Sequence, residues 1–314
     1  MKLLKIAKVL LFVSLISLSA LFAGAAGAAE DGLETYQSLL TTPEWVKENL
    51  GKVVLIDARA QALYKGQQGH LPGSVNAEWT YFVNMQGQPG ELTYGAIRPH
   101  AEMAKRIGAL GIDGKKDVIV YGDGGDWGNA GFVVWVLRMM GVKNALIMDG
   151  GFTVYRASGG KTDDKTTTNK EVAFAGVYDG SYIVDHTWMK ENYNNPEIKL
   201  VDVRSVEEYT GRIRPFGERR PGHIPGAINL PWANVYTEDF KVLPEGQLTA
   251  LFEAAGFTDK NQTIICYDTS GVRAGFMAMM FRLAGYPNAK AYNPAFQVWS
   301  ADAETDVIQG PNPL

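Results

Sequence analysis

One order of short motifs occurs twice in this chain of 314 residues. The first copy runs Asp57-Ala58-Arg59, Gly69-His70-Leu71-Pro72-Gly73, the run Val118-Ile119-Val120-Tyr121, and Leu137-Arg138 with Gly141. The second runs Asp202-Val203-Arg204, Gly222-His223-Ile224-Pro225-Gly226, Ile264-Ile265-Cys266-Tyr267, and Phe281-Arg282 with Gly285. Asp57 and Asp202 lie 145 positions apart, Tyr121 and Tyr267 lie 146 apart, and Arg138 and Arg282 lie 144 apart. Solenoid units repeat every ~20–50 residues. A period this long is a whole domain, so the chain is a duplicated domain.

Each copy mixes two patterns. Val53–Ile56, Val118–Val120, Leu200–Val203 and Thr263–Cys266 are apolar without alternation, as strands buried on both faces are. Helical patterns at Ala101–Leu110, Gly131–Met140, Gln247–Ala255 and Ala274–Ala284 fall between them, several closing at a glycine. The alternation predicts an α/β fold in which each domain is a mainly parallel sheet with helices on both faces. The threonine-rich polar stretch Ser158–Lys170 cannot build a core and marks the join. The expected organisation is a leader over 1–29, a non-catalytic first domain over 30–157, a linker over 158–175 and a second domain over 176–314. Ligands of such sheets bind beyond the carboxyl ends of the strands, which singles out the loops after Tyr121 and Tyr267.

The leader is read from Lys2, Lys5 and Lys8, an apolar run Val9–Phe22 and the small residues Ala23–Ala29, the three parts of a secretory signal peptide. The apolar run is short for a span of ~20 residues, so the expectation is cleavage, export to the periplasm or beyond, and no stable membrane anchor. Removing the leader takes the formal charge from −4 to −7, because it holds three lysines and no acid. An acidic chain without a basic block argues against nucleic acid as a partner. Cys266 is the only cysteine, which rules out an intramolecular disulfide or a cysteine-based zinc cluster even in an oxidising compartment.

The Asp-x-Arg strand ends, the Gly-His-Ile-Pro-Gly-Ala turn and the loop Ser270-Gly271-Val272-Arg273-Ala274 together resemble the tandem rhodanese family of thiosulfate and 3-mercaptopyruvate sulfurtransferases, across essentially the whole mature chain. In an active member the second domain carries Tyr-Cys-x-x-Gly-x-Arg-Ala, and the resemblance implies a cysteine held in a cradle of backbone N–H groups that favours a thiolate and then a persulfide. Here the stretch reads Tyr267-Asp268-Thr269-Ser270-Gly271-Val272-Arg273-Ala274. Register therefore gives the nucleophile position to Asp268. Cys266, two residues earlier, is the alternative nucleophile only if an altered turn lifts it out of the strand; otherwise it is a small core hydrophobe.

By the same resemblance, Thr269, Ser270, Gly271, Val272 and Arg273 form an anion cradle. The segment Gly211-Arg212-Ile213-Arg214 is similar to one in mercaptopyruvate-type enzymes whose arginines bind the substrate carboxylate, which implies that Arg214 and one of Arg219 or Arg220 gather an anion near the loop. The other account of these arginines is a solvated loop pairing with Glu207, Glu208 and Glu218. Asp268 itself reads as an internal plug of the cradle, as a binder of a cation or protonated ligand, or as a carboxylate nucleophile. A carboxylate cannot hold a sulfane sulfur. His70 and His223 recur in both copies and are expected to hold turns; Trp79, Trp127, Trp232 and Trp299 fall near loop ends, in core packing or lining the crevice between domains.

These features predict an exported sulfurtransferase-like protein with an arginine-rimmed anion cradle and a degenerate nucleophile position. It would bind a small sulfur-containing or other anion, or a periplasmic protein partner, in an accessory role in sulfur or redox chemistry. The alternative is an active sulfurtransferase forming a persulfide on Cys266; a carboxylate-based hydrolase at Asp268 ranks below both. No cofactor and no metal site are expected.

Overall fold

The computed structural model describes residues 36–312, so the leader expected over 1–29 lies outside the described residues. Among the described residues, ten strands form two sheets of five. In the first, β1 (Leu40–Thr41), β2 (Val54–Asp57), β3 (Val75–Asn76), β4 (Val118–Tyr121) and β5 (Ala145–Met148) lie in the order β1-β5-β4-β2-β3. In the second, β6 (Ile183–Val184), β7 (Ile198–Asp202), β8 (Ile228–Asn229), β9 (Thr263–Tyr267) and β10 (Ala289–Tyr292) repeat that order as β6-β10-β9-β7-β8. Every strand pair in both sheets is parallel. The central strands β2 and β4 are buried at every residue, as their unbroken apolar runs require.

Each sheet is covered on both sides. Successive residues of β9 show how: Ile264 and Cys266 point into one apolar cluster, Ile265 and Tyr267 into another. The first of these clusters is continuous across both domains. At its centre the helices Asn129–Met139 and Val272–Leu283 lie against each other, both buried almost throughout. They approach through glycines. A Cβ on Gly131 would stand 2.2 Å from the Phe276 ring, and one on Gly275 would stand 3.0 Å from the Trp135 ring. Gly131-Phe132 and Gly275-Phe276 are matching positions of the repeat, so the pair is an approximate twofold contact of like with like.

Strand ends are tied down identically in the two halves. Arg59 grips the Asp57 carboxylate (Nε–Oδ1 3.0 Å, Nη2–Oδ2 2.6 Å) and the Gly69 carbonyl, and its guanidinium lies 3.6 Å from the centre of the Phe152 ring. Arg204 does the same with Asp202, Gly222 and Phe296. His70 stacks on Tyr64 and meets its carbonyl through Nδ1; His223 stacks on Tyr209 and does likewise. The polar segment between the domains has no regular element until residue 180, yet it is not loose: it is pinned to the first domain by a bridge of Asp163 to His70, by Thr167 N–H to the Tyr64 hydroxyl and by Asn169 to the Leu110 carbonyl. No helix among the described residues is long and apolar enough to cross a membrane.

Candidate functional site

At the carboxyl end of β9 the chain turns through Asp268–Gly271 into the helix Val272–Leu283. Gly271 takes φ +99°, a left-handed conformation that disfavours a side chain, and the Asn293 amide fills the space a Cβ would need. This turn aims the first N–H groups of the helix back at residue 268. The Asp268 carboxylate, 2% exposed, accepts the N–H of Gly271 at 2.6 Å and, more weakly, those of Arg273 and Ala274 at 3.4 Å each. Arg273 Nε adds a fourth donor at 3.2 Å. The cradle is filled by the protein's own carboxylate.

Arg273 is itself spoken for. Nη1 and Nη2 make a two-pronged pair with Glu208 at 2.9 and 3.0 Å, and Nη2 also reaches the Thr269 hydroxyl at 3.1 Å. Burial alone would lower the Arg273 pKa, but the charges of Asp268 and Glu208 outweigh it and raise it, so the guanidinium stays charged. Burial alone would likewise raise the Glu208 pKa, and the Arg273 contacts reverse this to a value below the ordinary range. The Thr269 hydroxyl donates a hydrogen bond to Glu218 at 2.7 Å, and Glu218 accepts the Phe216 N–H at 3.0 Å. The result is a buried relay, Glu208–Arg273–Thr269–Glu218, beneath the loop.

Above it lies a cleft of about 220 Å³ between the domains. The first domain supplies Trp79, Met85, Tyr94 and Trp127; the second supplies Phe216, Gln297 and the loop residues Asp268, Thr269, Ser270, Val272 and Arg273. Asn293 and Gln297 hold the walls together by hydrogen bonds to Ile97, Gly95 and Tyr94. Trp127 and Phe216 meet edge to face at 5.2 Å across its mouth.

The structure thus gathers Asp268, Thr269, Ser270, Gly271, Val272 and Arg273 at one place, and four expected residues elsewhere. Cys266 lies between Val201 and Ala291 in the sheet, with its side chain in the shared core and no exposure. Burial, with the charge of Asp268, pushes its thiol pKa far above the ordinary value. Arg214, Arg219 and Arg220 do not rim the cradle. Arg214 is exposed and donates to the Arg219 carbonyl, while the exposed Arg219 binds Ser300 through its backbone N–H. Arg220 spends its guanidinium on the carbonyls of Trp299, Ser300, Asp302 and Thr305. Five donors in a fixed fork find their nearest acceptors at the open end of the Phe296–Ala301 helix, whose carbonyls lack partners within the helix.

Trp79 and Trp127 do line the crevice, whereas Trp232 packs with Phe276 in the shared core and Trp299 on the far face of the second sheet. Phe216, Tyr94 and Gln297 were not anticipated. Glu208 had a usable signal, the capping box Ser205-x-x-Glu208, which sets it at a helix start facing Arg273. In the first domain the loop after β4 is closed on itself: Asp126, pushed up to about 6 by burial, accepts the N–H groups of Asp123 and Asn129. Among the described residues no group of three His, Cys, Asp or Glu side chains is placed to hold a metal.

The model of the rhodanese-like domain matches residues 42–158 and again 185–302. The chain is 30% identical over 284 residues to a putative thiosulfate sulfurtransferase of Synechococcus elongatus, covering 86% of this chain and 85% of that one. It is 29% identical over 296 residues to the thiosulfate sulfurtransferase of Rattus norvegicus (88% and 96% covered), and 27% identical over 296 residues to the sulfur carrier protein TtuD of Thermus thermophilus (88% and 98% covered). Among solved structures, the anaerobic ergothioneine biosynthesis enzyme of Chlorobium limicola superimposes with a TM-score of 0.76 at 20% identity, over 87% of this chain and 71% of that one. Two sheets of one strand order, two matched segments and relatives of the same length and arrangement agree: this chain belongs to the rhodanese family, as a tandem, sulfurtransferase-like member with its single cysteine outside the cradle.

Proposed function

We propose that this chain is an exported binding member of its family, which holds a small ligand in the cleft between its domains and does not carry sulfur on a thiol. Its role in the periplasm would be an accessory one in sulfur or redox chemistry. The observation that supports this most directly is the occupied cradle. The N–H groups that would face a thiolate and its persulfide are taken by Asp268, and every nitrogen of the Arg273 guanidinium already has an acceptor. A carboxylate offers no sulfur nucleophile, and an incoming thiosulfate meets a guanidinium already held by Asp268, Glu208 and Thr269. The competing account, persulfide formation on Cys266, requires a thiolate; a thiol enclosed in the core with a raised pKa supplies almost none.

The test is to incubate the folded mature protein with thiosulfate, weigh it by intact mass spectrometry and measure thiocyanate formed from cyanide. No added sulfur and no turnover are expected. The single change Asp268→Cys is expected to take up one sulfur, with its thiolate attacking the outer sulfur of thiosulfate, sulfite leaving, and cyanide then removing the sulfur as thiocyanate. Turnover by the unaltered protein that is lost in Cys266→Ser overturns the proposal.

A further inference from the structure

We infer that the protein has a second binding site, apart from the cleft over Asp268, and that this site takes a small monocarboxylate with an apolar body. The site is an open groove of about 560 Å³ between the domains, lined by residues 96–100 of the first and by residues 185–187 and 293–294 of the second. It shares no lining residue with the cleft, and its volume is that of a small-molecule pocket, ~300–1,000 Å³.

The residue that gives the groove its chemistry is Arg98. Among the described residues only its Nη1 has an acceptor, Glu102 Oε1 at 2.9 Å, while its Nε is buried with no hydrogen-bond partner. Water does not reach that N–H, so its lost hydration goes uncompensated and costs stability. The fold does not ask for this cost, as the internal repeat shows. Arg98 and Leu243 are matching positions: each precedes the proline that opens a helix, Pro99 or Pro244, and each donates its backbone N–H to an equivalent carbonyl, of Phe82 or Val235. In the second domain the place is filled by leucine, packed on the core. An arginine kept where an apolar side chain serves the packing points to a ligand.

The free edge of that arginine selects the ligand's head group. Arg59 and Arg204 each grip a carboxylate through Nε and Nη2, the same edge that in Arg98 is without an acceptor. Charge agrees with this. Glu102 Oε1 is shared by Arg98 and Arg106 at 2.9 Å each, so two guanidinium groups face one carboxylate. Asp185, on the second-domain wall, is exposed and caps a helix through the Trp188 N–H, which leaves its charge screened by water. His186 is engaged at both ring nitrogens, by the Tyr292 hydroxyl and Asp302. The rest of the lining selects the body: Ile97, Met139, Ile183 and Pro294 are apolar, and His100 stacks on Tyr178 with ring centres 3.6 Å apart.

Phenylacetate, its neutral look-alike phenylacetamide and acetate separate recognition of the charge from recognition of the body. Titrated into the full mature protein by calorimetry, phenylacetate is expected to saturate one site, with the other two compounds each at least tenfold weaker. Arg98→Leu, which copies the duplicate position, is expected to weaken phenylacetate at least tenfold. Arg98→Lys is expected to do nearly the same, because an ammonium group keeps the charge but not the paired donors. Trp127→Ala, at the mouth of the other cleft, is expected to leave the affinity unchanged. Urea midpoints show that each variant is folded; should Arg98→Leu fail to fold, Arg98→Lys and the amide decide alone. No saturation by phenylacetate, equal binding of the amide, full affinity in the Arg98 variants, or loss of affinity in Trp127→Ala overturns the inference.

Discussion

Glu208 is the residue on which the site leans most, because it alone gives Arg273 a two-pronged partner while a capping box fixes its own backbone. Replacing one member of a buried pair strands the other, at a cost of ~3–5 kcal/mol. In Glu208→Gln the amide oxygen keeps one contact and Asp268 remains, so the expected loss is smaller, roughly 2 kcal/mol. The pH dependence has a definite sign. The Glu208 pKa is lower in the folded protein than in the unfolded chain, so its contribution is complete above an unfolded value of ~4.3 and fades as pH falls through that value toward the folded one. Urea midpoints measured from pH 7 down to pH 3 should therefore fall less steeply below pH 5 in Glu208→Gln than in the unaltered protein; parallel curves would refute the pairing. The sequence exposed the register of Asp268 because Tyr267, Gly271 and Arg273 fix it from both sides. It hid Phe216, which lies in a segment dense in arginine, where charge drew attention from the only aromatic residue of that segment, one that lines the cleft. Arg220 misled for a related reason: a guanidinium near a candidate anion site is equally a good cap for a helix end, and only the packing decides between the two.

At the scale of elements, the contact between the helices Asn129–Met139 and Val272–Leu283 depends on how little side chain separates them. Gly131→Ala places a methyl 2.2 Å from a Phe276 ring that cannot step aside, because Tyr236 stacks on it at 5.3 Å and Trp232 meets it edge-on. Alanine gains ~1 kcal/mol in helix propensity, and overpacking costs ~1–3 kcal/mol; a net loss of about 1–2 kcal/mol is expected, as a lowered urea midpoint. Gly275→Ala, with 3.0 Å to the Trp135 ring, should be close to neutral. An equal effect at both positions would mean that the helices part freely. The strands and both helices were legible because their apolar runs are unbroken and long. The contact was not, since Gly131 and Gly275 read as weak points in isolated helices. Their meaning comes from a partner about 144 positions away, which periodicity within one segment cannot reveal.

The two domains share their largest apolar cluster, and each lends residues to the other's loop end: Tyr94 and Trp79 reach the cleft over Asp268, while the Val242 N–H binds Asp149 of the first domain. Duplication predicted two domains but was silent on whether they stand apart, because a repeat fixes what each half is and not which faces are covered. The polar segment between them, expected as an exposed linker, is hydrogen-bonded along the first domain. Its covalent continuity should therefore matter little, and the buried helix face should matter a great deal. Expressed as two separate chains, residues 36–172 and 173–314 are expected to copurify as a one-to-one complex with a single unfolding transition. Residues 173–314 alone would expose the face carrying Phe276, Met280 and their neighbours, an apolar area large enough to cause aggregation. A soluble, monomeric second half with its own sharp transition would show that each domain closes its core alone. In that case the aromatic cleft, which needs walls from both, would be a product of docking and not of the fold.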